Sequence, residues 1–465
     1  MRALWLGIFA LLLASRLCHW DVLWIEEAYP TAAAAELLNG KVLYKDIWFD
    51  KPPLFAGIYV LWGAYTGLAL RLAGAAFGML SAWAAARAAR AFWGPREAGW
   101  AAAFTAFVLT FDTPSATLAL TPDVLTVPLH FAAAALAFSG FPLWAGLCAG
   151  VSLLFNAKGL LILAACLLWQ LRRAHMLALG FAIPVLAAAG WMAFQGSLGD
   201  YWQQVWLWGA AYSRDTLLSQ PLLEGVRRTV NWSWFHLALI AGLLAASWDE
   251  KDMRWPAWLL LSLAGVFLGL RFFPRYFFHL LPVVVLMAAR GFARLTPKRA
   301  AVLALLLVIP LARYGPRYVQ LVQGRAWSDL AMFDSSRKAA DFLKSRSHSG
   351  DTLFVWGYRP DLYPLSGLPA GTRFLDSQPL SGVIADRHLS NSHVTFPDIA
   401  RANRQALLNG PRPTWIADGL GPYNPSLDVR SSLPEMMAGY TLAAESPGYR
   451  IYRIAPGRQA RTGAE

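Results

Sequence analysis

The sequence predicts an all-α polytopic membrane protein that carries a small α/β domain outside the membrane at its C-terminal end. Of its 465 residues, 57% are hydrophobic and only 15% are charged, and the mean hydropathy is +0.40. Soluble domains contain about 25% charged residues, so a water-soluble globule of this composition would expose too much apolar surface. The composition therefore excludes a soluble globular protein, a disordered chain, a collagen and a small disulfide scaffold.

Apolar runs recur throughout the first 312 residues, which we interpret as one membrane domain (1–312). A helix that crosses a bilayer needs about 20 apolar residues, and several runs are slightly shorter than that. We count about eleven transmembrane helices, at residues 3–20, 70–93, 97–111, 120–139, 141–156, 159–170, 174–194, 228–247, 256–270, 276–290 and 300–312.

The basic residues between these runs predict the orientation. Cytoplasmic loops of membrane proteins carry an excess of Lys and Arg. If the N-terminus is cytoplasmic, the inner loops hold eleven basic residues, and we therefore expect a multi-pass protein of the cell inner membrane with its long tail in the periplasm. These inner residues are Arg87, Arg90, Arg96, Arg172, Arg173, Lys251, Arg254, Arg290, Arg294, Lys298 and Arg299.

The outer segments are more than simple connectors. Residues 31–38 and 54–66 are helical in pattern but too short to span, which predicts juxtamembrane helices in the first outer loop. Residues 201–212 are rich in Trp and Tyr, as is typical of the membrane interface. This stretch fits either a shallow aromatic belt or the floor of a cleft that faces the lipid.

The chain changes character after about residue 325, where charges, Pro and Gly become more frequent. We predict a helix at 340–346 and strands at 352–357, 414–418 and 449–454. These elements indicate a periplasmic α/β domain at 325–455, followed by a flexible tail at 456–465.

The net charge of +13 does not indicate a nucleic-acid partner. A nucleic-acid-binding surface gathers basic residues on one soluble face, whereas most of these lie between apolar runs. The three cysteines lie in apolar runs, and no His, Asp or Glu has metal-ligand spacing. We interpret His130, His236 and His279 as packing residues.

The remaining charged residues collect at the outer ends of the predicted spans. Charges at a membrane boundary are costly and usually functional, and carboxylates beside Lys and Arg suit a reaction on a phosphate-bearing lipid. Plainer interpretations stay open for single members: helix-start charges for Glu27 and Asp123, and an interfacial side chain for Arg271. The set comprises Glu26, Glu27, Asp46, Asp50, Lys51, Asp112, Asp123, Lys158, Arg271 and Arg275, with Tyr276 beside them.

Residues 24–54, WIEEAYPTAAAAELLNGKVLYKDIWFDKPPL, resemble the first outer loop of the GT-C glycosyltransferases that use polyprenyl-phosphate-linked sugars. That superfamily includes the protein O-mannosyltransferases and the lipid A aminoarabinose transferase. The resemblance continues through LTPDVLTVP (120–128), NAKG (156–159) and FFPRYFFHLLP (272–282), and covers about residues 1–312. It departs from the family pattern at Glu26, which stands where the family has its leading Asp, and at Asn156-Ala157, which precede the Lys-Gly of a usual Thr-Lys-Gly.

The resemblance implies a GT-C fold and an inverting transfer of a sugar from a polyprenyl phosphate to an envelope lipid, glycan or protein. It implies that Glu26 is the catalytic base, with Glu27 or Asp21 as alternatives, and that Asp123 orients donor or acceptor. It further implies that Lys51, Lys158, Arg271, Arg275 and Tyr276 bind the donor phosphate. Tyr44 and Asp50 of the first outer loop are candidates for further contacts.

No cofactor is implied, although Glu26 and Asp123 together could bind a divalent metal ion. Residues 351–374 are similar to the segment after the last span in bacterial members of the family, which makes Asp361, Tyr363 and Arg373 candidates for acceptor contacts or, alternatively, surface turn residues. Two other functions stay open: a lipid or sugar transporter or flippase, and a non-catalytic assembly subunit. A transporter favours inverted repeats and charges near the middle of the membrane, whereas this chain gathers its charges at one face.

Overall fold

The computed structural model describes residues 2–455 apart from 215, 217, 249, 326, 328–329, 384–393 and 395. The predicted flexible tail, 456–465, lies outside the described residues.

Helices dominate the chain up to residue 322. Many of them begin with a proline, whose missing N–H costs nothing in the first turn of a helix. The helices are α1 (Arg2–Leu17), α2 (Ile25–Leu38), α3 (Pro53–Gly57), α4 (Leu68–Phe92), α5 (Pro95–Val108), α6 (Pro114–Thr117), α7 (Pro122–Phe138), α8 (Pro142–Phe155), α9 (Gly159–Gln170), α10 (Ala174–Phe194), α11 (Leu198–Tyr201), α12 (Trp208–Arg214), α13 (Pro221–Phe235), α14 (Leu237–Ser247), α15 (Arg254–Phe267), α16 (Leu281–Arg294), α17 (Pro297–Ala304) and α18 (Val308–Val322).

Within the described residues, three helical stretches are long and apolar enough to cross a membrane: Leu68–Phe92, Gly159–Phe194 and Pro297–Val322. Helices α13 and α14 would supply a fourth span if counted together, although the chain bends by 91° between them. Several of the other predicted spans are helices of 14 to 17 residues, such as α7, α8 and α15. The chain is therefore a helical membrane protein, and the count of about eleven spans stays a prediction.

Both short stretches predicted to be helical are helices, with different boundaries. The stretch 31–38 is the second half of α2, and 54–66 contains α3 followed by a 3-10 helix, Ile58–Trp62. Because α2 begins at Ile25, the adjacent Glu26 and Glu27 both lie in its first turn, where the helix dipole favours carboxylates.

A four-stranded sheet lies in residues 331–455, which we call the C-terminal domain, in the order β1-β2-β4-β3; the predicted domain boundaries stay a prediction. Strands β1 and β2 are parallel, and both β2–β4 and β4–β3 are antiparallel. The three predicted strands are present as β1, β2 and β4; β3 was not predicted. The elements are α19 (Ala331–Arg346), β1 (Leu353–Trp356), α20 (Leu362–Ser366), α21 (Gln378–Ser381), α22 (Pro397–Leu408), β2 (Trp415–Asp418), α23 (Val429–Ser432), α24 (Pro434–Met437), β3 (Tyr440–Ser446) and β4 (Tyr449–Ile454).

The C-terminal domain shares a hydrophobic core with residues 24–54. Ala33 and Phe49 belong to the same buried cluster as Leu353 and Trp415. Backbone bonds reinforce this contact, since the Trp48 N–H donates to the carbonyl of Arg373 at 2.7 Å. These contacts hold the C-terminal domain against residues 24–54, the segment that contains several of the charged residues predicted to form the site.

Candidate active site

A cavity of about 250 Å³, which we call the charged cavity, lies where several helix ends meet the C-terminal domain. Its wall comes from the first turns of α2 and α7, the turn between α8 and α9, helix α12, and the segments 50–55 and 268–276. It gathers eight of the eleven predicted site residues: Glu26, Asp50, Lys51, Asp123, Lys158, Arg271, Arg275 and Tyr276.

Asp123 lies in the first turn of α7, which Thr121 caps by accepting a hydrogen bond from the Val124 N–H at 3.3 Å. Its carboxylate is buried and accepts a hydrogen bond from the Asn156 side-chain amide at 3.0 Å. Two cations approach it: Arg275 Nε at 3.8 Å and Lys158 Nζ at 3.9 Å. A buried charge requires such partners, so Asp123 holds both cations at the charged cavity.

Lys158 lies in the turn between α8 and α9, and its backbone N–H donates to the Asn156 side-chain oxygen at 3.1 Å. The side chain is 9% exposed, and Nζ lies 3.5 Å from the centre of the Tyr276 ring. This ammonium makes no hydrogen bond to another residue in the described part of the chain. It is a buried cation with free donors beside the charged cavity, which suits the binding of an anion.

Glu26 and Arg275 join the first turn of α2 to the segment 268–276. Arg275 Nη1 donates to Glu26 Oε1 at 3.2 Å, while its Nε faces Asp123. The guanidinium therefore lies between the two carboxylates that could have shared a metal ion. The described residues contain no group of three or more His, Cys, Asp or Glu side chains that could hold a metal, so the residues present do not fit the divalent site that Glu26 and Asp123 suggested.

Glu27 lies apart from the charged cavity. It is fully buried and forms an ion pair with the equally buried Arg71 at 2.5 Å. Its other oxygen accepts a hydrogen bond from the Leu120 N–H at 3.1 Å. Glu27 is therefore an interior residue. Of the two carboxylates, only that of Glu26 lies at the charged cavity. Asp21, the other alternative base, is exposed and pairs with Arg337 at 3.2 Å.

Lys51 enters the charged cavity beside Asp50, with Nζ 2.6 Å from Asp50 Oδ2. Tyr44 does not line this cavity. It is buried beneath the loop, where its hydroxyl donates to the Lys51 carbonyl at 2.8 Å and its own carbonyl accepts from Gln204 at 2.7 Å. Tyr44 therefore supports the loop that carries Lys51.

The aromatic stretch 201–212 contributes to the cavity wall through Val205, Gly209 and Tyr212, while Trp202 and Leu207 are exposed. Arg271 packs on this stretch: its Nη2 donates to the Tyr212 carbonyl at 2.8 Å, and its guanidinium lies 3.5 Å from the Tyr212 ring centre. The stretch is thus both an exposed aromatic belt and one wall of the charged cavity.

Tyr358 is a cavity residue that the sequence did not reveal. It comes two residues after β1, and its side chain lines both the charged cavity and a neighbouring cavity of about 360 Å³. Glu26, Lys51, Tyr212, Arg275 and Tyr358 form the wall common to the two cavities. The only available signal was its place after the carboxyl end of a predicted strand, where ligands often bind in parallel sheets.

The three candidates in the C-terminal domain have other roles. Tyr363 is buried and accepts a hydrogen bond from the Val355 N–H at 3.2 Å, so it stabilises the domain instead of lining either cavity. Asp361 is buried with Arg359 at 3.9 Å. Arg373 donates to the Tyr44 carbonyl at 2.7 Å and so binds the domain to residues 24–54.

The histidines are divided between packing and the site. His130 accepts a hydrogen bond from the Trp258 indole at 3.0 Å, in keeping with a packing role. His279, also expected to be a packing residue, has its Nε2 3.5 Å from Asp123 Oδ1 and therefore belongs to the surroundings of the charged cavity.

No protein-family model matches the sequence, and no curated protein is significantly similar to it in sequence. In structure, the chain is similar to ArnT from Cupriavidus metallidurans bound to undecaprenyl phosphate, with a TM-score of 0.62 and 15% identity over 98% of both chains. The apo state of ArnT gives a TM-score of 0.62 at 14% identity over 97% of both chains. The arabinofuranosyltransferase AftD from Mycobacteria gives 0.52 at 16% identity, covering 98% of this chain and 42% of AftD. These neighbours are GT-C glycosyltransferases, and the chain has the GT-C fold.

Proposed function

We propose that this chain is a membrane glycosyltransferase that moves a sugar from a polyprenyl phosphate to an acceptor. The observation that carries the proposal is the charged cavity itself, where Lys51, Lys158, Arg271 and Arg275 meet the carboxylates of Glu26 and Asp123. The structural neighbour ArnT is bound to undecaprenyl phosphate, which supports a donor of the same chemical class here.

The cations are the proposed binding site of the donor phosphate. Arginine binds phosphate through a fork of two parallel hydrogen bonds, and lysine binds it as a point charge. Lys158 has unused donors, and Arg275 presents its guanidinium to the same cavity between Glu26 and Asp123. Tyr276, whose ring lies beneath Lys158, fixes the direction of that ammonium.

Glu26 is the proposed catalytic base. It removes the proton from an acceptor hydroxyl, whose oxygen then forms a bond to the anomeric carbon of the sugar. The bond between that carbon and the phosphate oxygen breaks, and the electron pair leaves with the phosphate, where the cations stabilise the charge. Attack from the face opposite the phosphate inverts the anomeric configuration. Asp123 keeps Lys158 and Arg275 in place during this step.

The neighbouring cavity is the proposed entrance for the acceptor, because Glu26 lies on the wall that it shares with the charged cavity. The acceptor is an envelope lipid, glycan or protein. The positive-inside pattern of the loops supports a site on the periplasmic side of the inner membrane.

Replacing Glu26 tests this function in cells. We expect cells whose only copy carries Glu26→Gln to accumulate a glycosylated polyprenyl phosphate, because the donor binds but is not consumed. Lipid extracts analysed by mass spectrometry would detect this species and give the mass of the sugar. Asp21→Asn, at an exposed carboxylate outside the charged cavity, is the matched control and should match the wild type. Equal donor levels in Glu26→Gln and wild-type cells would contradict the proposal.

A further inference from the structure

The two arginines of the charged cavity, Arg271 and Arg275, lie on a segment with an unusual backbone. Leu270 and Phe272 have φ angles of +50° and +52°, and Gly269 has a φ of +80°. Bulky residues rarely adopt this left-handed region. A segment that combines two of them persists only if its surroundings hold it in place.

The support comes from two side chains, that of Thr216, which precedes α13, and that of Arg228 on α13. Thr216 donates its hydroxyl to the Leu270 carbonyl at 2.8 Å. Arg228 Nη1 donates to the carbonyls of both Arg271 and Phe272, each at 3.3 Å. These two side chains therefore bind three consecutive carbonyls of the strained segment.

Arg228 is itself held in position. Its Nε donates to Glu224 Oε1 at 2.7 Å, one turn earlier on α13. The opposite edge of the guanidinium is thereby left to bridge the two carbonyls. Both bonds come from the single nitrogen Nη1, whose direction is fixed because Glu224 holds the planar guanidinium at Nε. A lysine ammonium at the end of a flexible stem has no second anchor of this kind.

Gly225 supplies the second support. Phe272 is buried, and its ring packs directly on the backbone of Gly225, where a Cβ atom would lie 2.3 Å from the Phe272 Cζ atom. Any side chain at this position would force the ring of Phe272 to move, and Phe272 directly follows Arg271 in the strained segment.

The position of α13 explains why these contacts occur beside the charged cavity. Helix α13 meets the apolar helix α14 at 91°, so it lies along the membrane surface if α14 enters the bilayer. Its exposed residues include Leu222, Val226 and Trp234, which suits an interfacial helix. The head group of a membrane-embedded lipid phosphate lies at the same depth.

We propose that Arg228 and Gly225 are positioning residues for the donor phosphate: they hold the strained segment so that Arg271 and Arg275 face the charged cavity. This inference rests on the proposed function, because it assumes that the two arginines bind the phosphate of a polyprenyl lipid. Neither Arg228 nor Gly225 lines that cavity, so both act through the segment.

The test measures binding of two lipids to the purified full-length chain by native mass spectrometry: undecaprenyl phosphate, and undecaprenol, which lacks the phosphate. We expect Arg228→Gln to weaken binding of undecaprenyl phosphate about tenfold and to leave binding of undecaprenol unchanged. Gly225→Ala should show the same selective loss, and Arg228→Lys an intermediate one. The control is Arg227→Gln, which removes the same charge from a side chain that is 72% exposed and contacts Glu224 at 3.6 Å; it should stay within about twofold of the wild type.

Two results would overturn the positioning role: an effect of Arg228→Gln no larger than that of Arg227→Gln, or an equal loss of both lipids, which indicates general distortion. Lys158→Gln and Arg275→Gln separate this failure from failure of the proposed function. If they weaken binding of undecaprenyl phosphate but Arg228→Gln does not, only the positioning role is wrong. If they too leave it unchanged, the donor site and the positioning role are both wrong.

Discussion

Glu26 and Glu27 differ by one position in the sequence but lie in entirely different surroundings. Consecutive residues of a helix point in directions about 100° apart, so one carboxylate of the pair faces the charged cavity and the other faces Arg71 in the interior. The sequence identified the pair but could not assign its members, because the boundary and rotation of α2 depend on tertiary packing.

The two replacements should therefore have opposite effects. Glu26→Gln should abolish sugar transfer and leave the thermal stability of the purified protein close to that of the wild type. Glu27→Gln should lower the free energy of unfolding by about 3 to 5 kcal/mol, because it leaves Arg71 buried without its counter-charge. Thermal unfolding in detergent, together with a transfer assay, separates these outcomes; a Glu27→Gln protein with wild-type stability would contradict the account.

Asp376, in the C-terminal domain, gives a prediction on pH. Burial, together with the nearby charge of Asp50, raises the pKa of Asp376 from 3.8 to about 7, even though its carboxylate accepts a hydrogen bond from the Gln378 N–H. The unfolded chain therefore releases this proton near pH 4 and the folded chain only near pH 7. The stability that the protonated form contributes is complete below pH 4 and is lost as the pH rises to 7, by about 4 kcal/mol.

Asp376→Asn should remove this dependence. Relative to the wild type, the variant should become progressively more stable between pH 4 and pH 7, and the difference should then stay constant. Melting temperatures of both proteins across this range check the prediction. A difference that does not change with pH would show that Asp376 titrates normally.

At the scale of elements, helices and strands with strong apolar patterns were predictable and the rest were not. Strands β1 and β2 are fully buried, and β4, with the sequence YRIYRI, places its Tyr and Ile side chains in the interior. Strand β3 is an edge strand whose sequence, YTLAAES, is mostly exposed, so it carries no such pattern. The left-handed backbone at Leu270 and Phe272 was equally invisible, because neither residue type favours it.

Close packing of α8 against α10 depends on small residues, as is typical of helices in membranes. A Cβ atom at Gly180 of α10 would lie 2.0 Å from the Leu143 carbonyl oxygen of α8. Gly180→Ala should therefore force the helices apart and lower the free energy of unfolding by about 1 to 3 kcal/mol. Gly190→Ala, in the same helix, is the control, since a Cβ there meets no atom of the described residues within 4 Å. Equal melting temperatures for the two variants would be evidence against this packing.

At the scale of the whole molecule, the charged cavity is complete only when the C-terminal domain lies on residues 24–54. Tyr358 of that domain lines the charged cavity together with Glu26 and Arg275. Long-range docking of this kind leaves no periodic signal in a sequence, which is why Tyr358 was missed. The clustering of Glu26, Lys51, Asp123, Lys158 and Arg275 was predictable, because charges near a membrane are few and the loop pattern places them on one face.

Weakening the contact between the C-terminal domain and residues 24–54 should therefore lower activity, even when the altered residue does not line the charged cavity. Arg373→Gln removes the hydrogen bond to the Tyr44 carbonyl and should lower the rate of sugar transfer several-fold without unfolding either part. Arg412→Gln is the matched control, because Arg412 donates to Ala438 within the C-terminal domain. Unchanged transfer by Arg373→Gln would mean that the domain does not support the site.

The most direct test of the central claim, that the charged cavity binds a polyprenyl phosphate, is native mass spectrometry of the protein purified gently from the membranes in which it is made. The wild type should carry a polyprenyl phosphate or its glycosylated form. The Lys158→Ala, Arg275→Ala double variant should lose it. An Arg172→Ala, Arg173→Ala control, altered in the turn between α9 and α10 at the opposite end of α9 from Lys158, should retain it. If wild type and double variant carry only the same bulk phospholipids, the claim is wrong.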